Sequence, residues 1–524
     1  MSAAMTLFRA ALTVGSWTAL SRVTGFARDM AVAAVLGAGP VADAFFVAFK
    51  LPNLFRRLTG EGAFSAAFVP IFSARLAAQG RAAALAFAGQ ALSLMLLVLG
   101  IGLVAAEIFM PAILWGFAPG FVDDPLRFGL TLEFARITVV YLPLLSLVAL
   151  LGGMLNATGR FSAMAAAPVL LNLVLIAALF GLAGLVPTSG HALAWGTAAA
   201  GLAQFLLLVA ACRRAGILVR LPRPRLTEDT RRLFRLMGPA ALGAGVTQVN
   251  LLIDTILAST LPAGAVSYLY YADRVAQLPL GIVGVALGTA LLPILSARIA
   301  AGDRAGADAA ASRAAEAALL LTLPAAAGIA LLASPIVAVL FQRGAFGPAE
   351  AAATAAALAA FAAGLPAFVL QKVLVPQFHA RQDTATPLRV ALVCLGLGVA
   401  VSLSLMPVLA HVGLAVSTSV SAWANVGLLG LLLIRRGMWV PDARLRRRSL
   451  RILLAVAAMA LVLLPSLELA PSAAGLAGQV ALGAAAYGGA ALLMGAASLA
   501  ELKGLRRPRL SAPPPSSAPS PPRQ

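Results

Sequence analysis

The sequence predicts an all-α polytopic membrane protein, with about 14 transmembrane helices in two pseudo-symmetric six-helix lobes plus two C-terminal helices. Three observations predict it. Apolar residues make up 61 % of the 524 residues and charged residues 11 %, whereas a soluble domain has roughly 45–50 % and 25 %. The apolar residues form continuous runs of the ~20 residues that a spanning helix needs, not the alternation of an outer-membrane barrel. A segment near residue 65 recurs near residue 288. This composition excludes a water-soluble globular fold. It also excludes a disordered chain, which requires low hydrophobicity.

Cutting at charged or Gly/Pro-rich breaks places helices at 10–36, 41–74, 83–113, 130–157, 161–186, 191–212, 232–259, 264–298, 313–341, 350–379, 387–409, 411–434, 450–468 and 474–499. The first is interrupted by Arg22, Arg28 and Asp29 and has no cleavage site, so it is a span and not a signal peptide. Several runs exceed the required length and predict tilt or kinks. Pro52, Pro70, Pro279 and Pro293 are the expected kink sites. The resulting organisation is an N-lobe over 1–215, a basic cytoplasmic linker over 216–231, a C-lobe over 232–436, helices 13–14 over 437–500, and a Pro/Ser-rich disordered cytoplasmic tail over 501–524.

The formal charge of +20 follows this topology. Of the 39 Lys and Arg residues, 29 fall on loops of one side, two (Arg127 and Arg343) on the other, and eight inside helices. That asymmetry predicts cytoplasmic N- and C-termini, in agreement with an even helix count. Nucleic acid is not expected as a partner, because the cations are spread through short loops between apolar runs. The basic runs at 213–235 and 444–451 read as topological, with contact to anionic headgroups as a secondary effect. Two cysteines, three scattered histidines and no Walker loop leave no disulfide framework, no metal site and no such ATP site. No nucleophile–base pair is found either, so an enzyme is not expected.

The repeat is ungapped. SAAFVPIFSARLAAQGRA (65–82) matches GTALLPILSARIAAGDRA (288–305) at 10 of 18 positions with an offset of 223, and Leu142-Pro143 and Leu365-Pro366 share that offset. Six predicted helices separate the copies, so the halves have the same orientation. That places their axis along the membrane normal, with a substrate site between them.

Ionisable groups inside spans cost at least about 2.5–3.5 kcal/mol at the bilayer centre and normally face a cavity or a partner. Arg22, Gly25 and Asp29 share one face of helix 1, with Arg28 at its edge. Helix 2 carries Asp43, Lys50, Asn53, Arg56, Arg57 and Glu61; helix 8 carries Asp273-Arg274. The cationic surplus of these helices suits an anionic substrate, most simply a phosphate or diphosphate, which the planar Arg fork matches. Asp254, in helix 7, has no cation within a helical turn. It reads either as a neutral carboxyl or as a monovalent cation site.

The motifs SRVTGFARD (21–29), ADAFFVAFKLPNLFRRLTGEGAFSAAFVPIFS (42–73), YYADRVAQLPLGIVGVALGTALLP (270–293) and RQDTATP (381–387) closely resemble the MurJ/MviN lipid II flippases of the multidrug/oligosaccharidyl-lipid/polysaccharide exporter superfamily. The resemblance implies a monomeric, cofactor-free flippase of the bacterial inner membrane. It would move lipid II, the undecaprenyl-diphosphate-linked peptidoglycan precursor, from the cytoplasmic to the periplasmic leaflet. It also implies a cationic central cavity with Arg22, Arg28, Arg56 and Arg274, the acidic partner Asp29, and Asp43 on helix 2. Helices 13 and 14 would form a groove for the polyprenyl tail. Some members bind sodium between helices 7, 11 and 12. Here Asp254 matches one ligand and Thr418 offers one oxygen, while the helix 11 positions fall on Gly398 and Ser402 without a carboxylate or amide. The candidate headgroup residues are therefore Arg22, Arg28, Asp29, Asp43, Lys50, Asn53, Arg56 and Arg274, and Asp254 and Thr418 are the candidates for monovalent-cation or proton coupling. The competing readings are an exporter of another polyprenyl-diphosphate saccharide, which shares the charge chemistry, and a drug exporter, which would want an acidic or aromatic cavity.

Overall fold

The computed structural model describes residues 3–58, 64–468 and 470–498. Sixteen α-helices follow one another, with no strand among the described residues. They are α1 Ala3–Leu36, α2 Pro40–Leu58, α3 Ser65–Phe117, α4 Pro125–Val139, α5 Tyr141–Ala157, α6 Ser162–Gly181, α7 Ser189–Arg214, α8 Glu228–Ser259, α9 Ala265–Pro279, α10 Val285–Ala300, α11 Arg304–Leu331, α12 Ala333–Phe341, α13 Pro348–His379, α14 Ala385–Arg435, α15 Ala443–Leu463 and α16 Ala473–Leu493. Nine stretches among the described residues are long and apolar enough to cross a membrane. Large apolar side chains such as Val23, Ile101, Ile108 and Leu493 stay exposed on the outside, as a helix surface facing lipid requires. The tail over 501–524 lies outside the described residues.

Two breaks inside helices fall where the backbone takes a positive φ, at Gly80 and Ala410. Pro52, Pro70 and Pro293 lie within helices. The predicted break over 75–82 narrows to Gly80, whose φ of 79° turns the chain inside α3; the Ala, Leu, Arg and Gln before it are good helix formers and carry the helix up to that point. The repeat copy in α10 is likewise followed by a positive-φ glycine, Gly302 (φ 73°). In α14 the reversal is at Ala410 (φ 47°), between the predicted helices 387–409 and 411–434. Pro279 ends α9 and leads into a π-helical stretch, Leu280–Gly284.

The packing explains where a cavity can lie. One core joins the two halves: Val32, Phe45 and Phe46 from α1 and α2 meet Tyr271 and Val275 of α9, Phe341 of α12 and Leu358 of α13. It lies at the end that carries the turns around 37–39, 118–124, 260–264 and 342–347. Toward the Arg-rich end there are two further cores, the first of which α8 joins through Leu233. Phe68, Phe87, Leu150, Leu208 and Leu233 pack in one, and Leu295, Val373, Leu429 and Trp439 in the other. α15 and α16 pack on each other and against α11, outside both.

Candidate functional site

The site lies where α1 and α2 meet α8 and α9. The Arg22/Gly25/Asp29 face of α1 turns toward α6 and α9, and Arg28 is its centre. Arg28 Nε and Nη2 donate to Asp29 Oδ1 at 3.1 and 2.6 Å, Nη1 donates to Asn172 Oδ1 at 3.1 Å, and Nη2 also donates to the Tyr270 hydroxyl at 3.3 Å. Tyr270 in turn donates to Asp29 Oδ1 at 3.1 Å, and its ring stacks on Phe46. Arg274 lays its guanidinium over the Tyr270 ring, 4.8 Å from its centre, with Nε 3.9 Å from Asp29 Oδ2. That Nε is buried and has no hydrogen-bond partner. An unmatched donor on a cation is costly unless an anion or water completes it.

Arg22 is exposed, one turn and a half before Arg28. Its guanidinium lies against Gly281 of the π-helical stretch, where any Cβ would collide with it. Arg28 and Arg274 thus share one carboxylate, Asp29, which is 3 % exposed, and Arg22 lies beyond them against Gly281. The space enclosed among Arg28, Asp29, Phe46 and Tyr270 is about 10 Å³, room for about one water. Arg22 is exposed and the Arg274 side chain is 38 % exposed, so the cluster is open on their side.

The remaining candidates divide. Lys50 donates to Thr255 at 3.4 Å and interacts electrostatically with Asp254 and Asp273. Asp254 thus has the cation that its own helix lacks, supplied by α2. Asp273 also accepts a short bond from Gln277. Asn53 donates to Phe49 O at 2.8 Å. Thr418 donates to Leu414 O within its own helix at 2.9 Å, and Gly398 O accepts from Ser417. No group of three His, Cys, Asp or Glu that could hold a metal exists among the described residues. The Arg56 and Arg57 side chains lie outside the described residues, as does Glu61.

Asp43 is not part of the Arg28 cluster. Fully buried, it caps the start of α9 from the other half of the chain: Oδ2 accepts from Gly264 N at 2.7 Å, and Oδ1 accepts from Ser267 N at 2.8 Å and Ser267 Oγ at 2.5 Å. Three further contacts join the halves at this end. Tyr271 donates to Gly37 O, Ala345 N donates to Ala34 O, and Arg127 Nη1 donates to Leu261 O at 3.0 Å while Nε pairs with Asp124 at 2.6 Å. The Asp124 carboxyl, which caps α4, is held below its ordinary value by the Arg127 backbone N–H and then by its side chain. These contacts latch the two halves together at this end.

A family profile described as lipid II flippase MurJ matches residues 32–476. The chain belongs to the MurJ family. Its relatives include a probable lipid II flippase MurJ of Rhizobium meliloti (strain 1021), 44 % identical over 464 residues, covering 88 % of this chain and 86 % of the relative. Another is the lipid II flippase MurJ of Burkholderia cenocepacia, 37 % identical over 445 residues, covering 84 % and 86 %. A solved lipid II flippase MurJ in an inward closed conformation shares the fold, with a TM-score of 0.78, 22 % identity and coverage of 95 % of this chain and all of that one. A multidrug-resistance transporter of the MOP superfamily in an inward-facing conformation superposes with a TM-score of 0.65 at 14 % identity, over 80 % of this chain and 94 % of that one. The chain is thus a polytopic member of the MurJ family, of the bacterial inner membrane.

Sequence reasoning missed several members of the site. Asn172 stands out within an otherwise apolar stretch of α6, and that isolation was a readable signal. Tyr270 and Ser267 carried no such signal, since their partners lie 241 and 224 residues away.

Proposed function

We propose that this chain translocates lipid II from the cytoplasmic to the periplasmic leaflet by alternating access, without a cofactor and as a monomer. The observation that carries this reading, within the MurJ family, is the pair of arginines Arg28 and Arg274 on a single carboxylate, with the orphaned Arg274 Nε facing it and Arg22 farther along α1. A diphosphate supplies the missing negative charge and the acceptor. The same charges would suit another polyprenyl-diphosphate saccharide. The family profile favours lipid II, and an Arg-lined site disfavours a cationic drug.

In this reading fourteen spans form two lobes, N- and C-termini are cytoplasmic, and the Arg-rich end faces the cytoplasm. The headgroup enters there, and the polyprenyl tail stays in the bilayer beside α15 and α16. Arg22 and Arg28 belong to one lobe and Arg274 to the other, so mutual repulsion holds the cytoplasmic ends apart until a diphosphate bridges them. Closure of that end strains the latch at Asp43 and Arg127, and the periplasmic end opens. An inside-negative potential favours outward movement of net negative charge by about 2.3 kcal/mol per charge per 100 mV. Lys50, Asp254 and Asp273 form the second charged group between the lobes. Their separation during the cycle is the step at which a proton or monovalent cation would enter, with Asp254 as its carboxyl; Thr418 is the weaker candidate, its hydroxyl being used by Leu414 O.

The test is rescue of lipid II exposure on the outer leaflet in cells depleted of their own flippase, read by a periplasmic enzyme that cleaves only exposed lipid II. Rescue supports the reading. Failure of well-expressed protein to rescue moves the substrate to another lipid-linked saccharide.

A further inference from the structure

We propose that Asn172 is a positioning residue for substrate binding: it holds the Arg28 guanidinium, and through it the anion site, in register with helix α1. This inference rests on the reading of Arg28 as a diphosphate ligand.

Asn172 is 5 % exposed, with an amide that needs partners in an apolar surrounding. All its partners are on α1. Nδ2 donates to Ser21 O at 3.1 Å and to Thr24 Oγ1 at 3.2 Å, and Oδ1 accepts from Arg28 Nη1 at 3.1 Å. The amide thus bridges two turns of the helix. Thr24 donates its own proton to Leu20 O at 2.9 Å, so its oxygen is free to accept. The chemistry fixes which way the amide points. Exchanging its oxygen and nitrogen would set Nδ2 against a guanidinium donor and Oδ1 against the Ser21 carbonyl, losing both contacts. Gly25 makes the approach possible, because a Cβ there would lie 3.3 Å from Asn172 Nδ2.

Arg28 has five N–H groups. Asp29 takes Nε–H and one on Nη2, Tyr270 takes the second on Nη2, and Asn172 takes one on Nη1. One Nη1–H remains, and through it Arg28 can meet an anion without first breaking a bond. Tyr270 belongs to the other half and moves away when the halves separate. Asp29 is the neighbouring residue on the same helix and can follow the side chain through several rotamers. Asn172 is the only one of the three that anchors the guanidinium to a second helix of its own half. Without it, the plane of the fork is set by Asp29 alone. Asn172 carries no charge and acts through Arg28, not on substrate.

The experiment is a double-mutant cycle on the purified full-length chain in detergent, measuring the Kd of a short-chain, water-soluble lipid II analogue that bears the diphosphate. Asn172→Leu is close in volume and removes all three bonds. The expected result is about tenfold weaker binding for Asn172→Leu, the scale of one hydrogen bond to a charged group. Arg28→Ala binds more weakly still, and the double variant binds no more weakly than Arg28→Ala. Equal losses added in the double variant would mean a general packing role and overturn the proposal, as would an unchanged Kd in Asn172→Leu. An unchanged Kd in Arg28→Ala would remove the underlying reading of Arg28, and the proposal with it, and is a separate result from the other two. If Asn172→Leu fails to fold, Thr24→Val removes one anchor of the amide. It should weaken binding about threefold, and not at all when combined with Arg28→Ala; no weakening in the otherwise unchanged chain would overturn the proposal.

Discussion

Replacing Asp43 with Ala removes the most completely buried contact between the halves. Three donors then lose their acceptor: Gly264 N, Ser267 N and Ser267 Oγ, at 2.7, 2.8 and 2.5 Å. An unsatisfied buried donor costs about 1–3 kcal/mol. The loss of a helix-capping carboxylate falls in the same range. Water entering the gap and relief of the carboxylate's own burial return part of this. We expect a net loss of about 3 kcal/mol from the latched state, a shift of about 150-fold in its equilibrium with the opened one. The assay is labelling of Val266→Cys, a position 1 % exposed beside the latch, after replacement of the buried Cys212 and Cys394 by Ala. A membrane-impermeant maleimide is added to intact cells. With Asp43 present, labelling should be slow. In Asp43→Ala it should be at least about ten times faster, with Asp43→Asn, which keeps one acceptor, between the two. Equal rates in all three would refute the reasoning that this carboxylate holds the end closed.

Other outcomes follow from the same geometry. Tyr270→Phe keeps the ring beneath Arg274 and on Phe46 but removes the hydroxyl shared by Asp29 and Arg28; analogue binding should weaken about three- to tenfold with the melting temperature nearly unchanged. Glu316 of α11 is 5 % exposed and pairs with Arg313, Arg444 and Arg448. Glu316→Ala removes the buried carboxylate that the three share, while Arg313 keeps Asp442, and should destabilise the protein by about 3 kcal/mol, since the arginines are partly solvated; thermal melting should show this while Kd per folded molecule stays constant. Asp124 titrates below its ordinary value of 3.8, so its contribution is complete above that pH and is lost as pH falls through the lowered value. The difference in thermal melting between the wild-type chain and Asp124→Ala should then be constant from about pH 7 to pH 5 and shrink only in stronger acid.

What the sequence made legible was local. Apolar runs and their charged borders marked most helix ends, even the break beside Ala410, because crossing a bilayer constrains length and composition together, but the runs 41–74, 130–157, 264–298 and 313–341 each divide into two helices. The charges read in helices 1, 2 and 8 come together in the structure, around Asp29 and around Lys50. The expected prolines lie within helices, and Pro279 borders the π-helical stretch. A proline bends a helix locally, while reversing the chain takes a positive φ, here at Gly80 and Ala410. Partners between the halves were not legible. Asp43 looked like one more cavity charge, and only the approach of α9 turns it into a cap. Asp254 looked unpaired because its cation, Lys50, comes from α2. Asn172 could have been found from its isolation in α6, but not its partner, 144 residues away.

The central claim is that this chain flips lipid II and does so through its arginine cluster. The most direct measurement is flipping in sealed liposomes that contain the purified chain, with lipid II loaded on one leaflet and its appearance on the other read by an impermeant lipid II-cleaving enzyme. The account predicts transfer well above protein-free liposomes for wild type, none for Arg28→Ala, and no transfer of phosphatidylglycerol, whose single phosphate lacks the second acceptor group. Equal transfer of lipid II by wild type and Arg28→Ala, or of phosphatidylglycerol and lipid II by wild type, would contradict it.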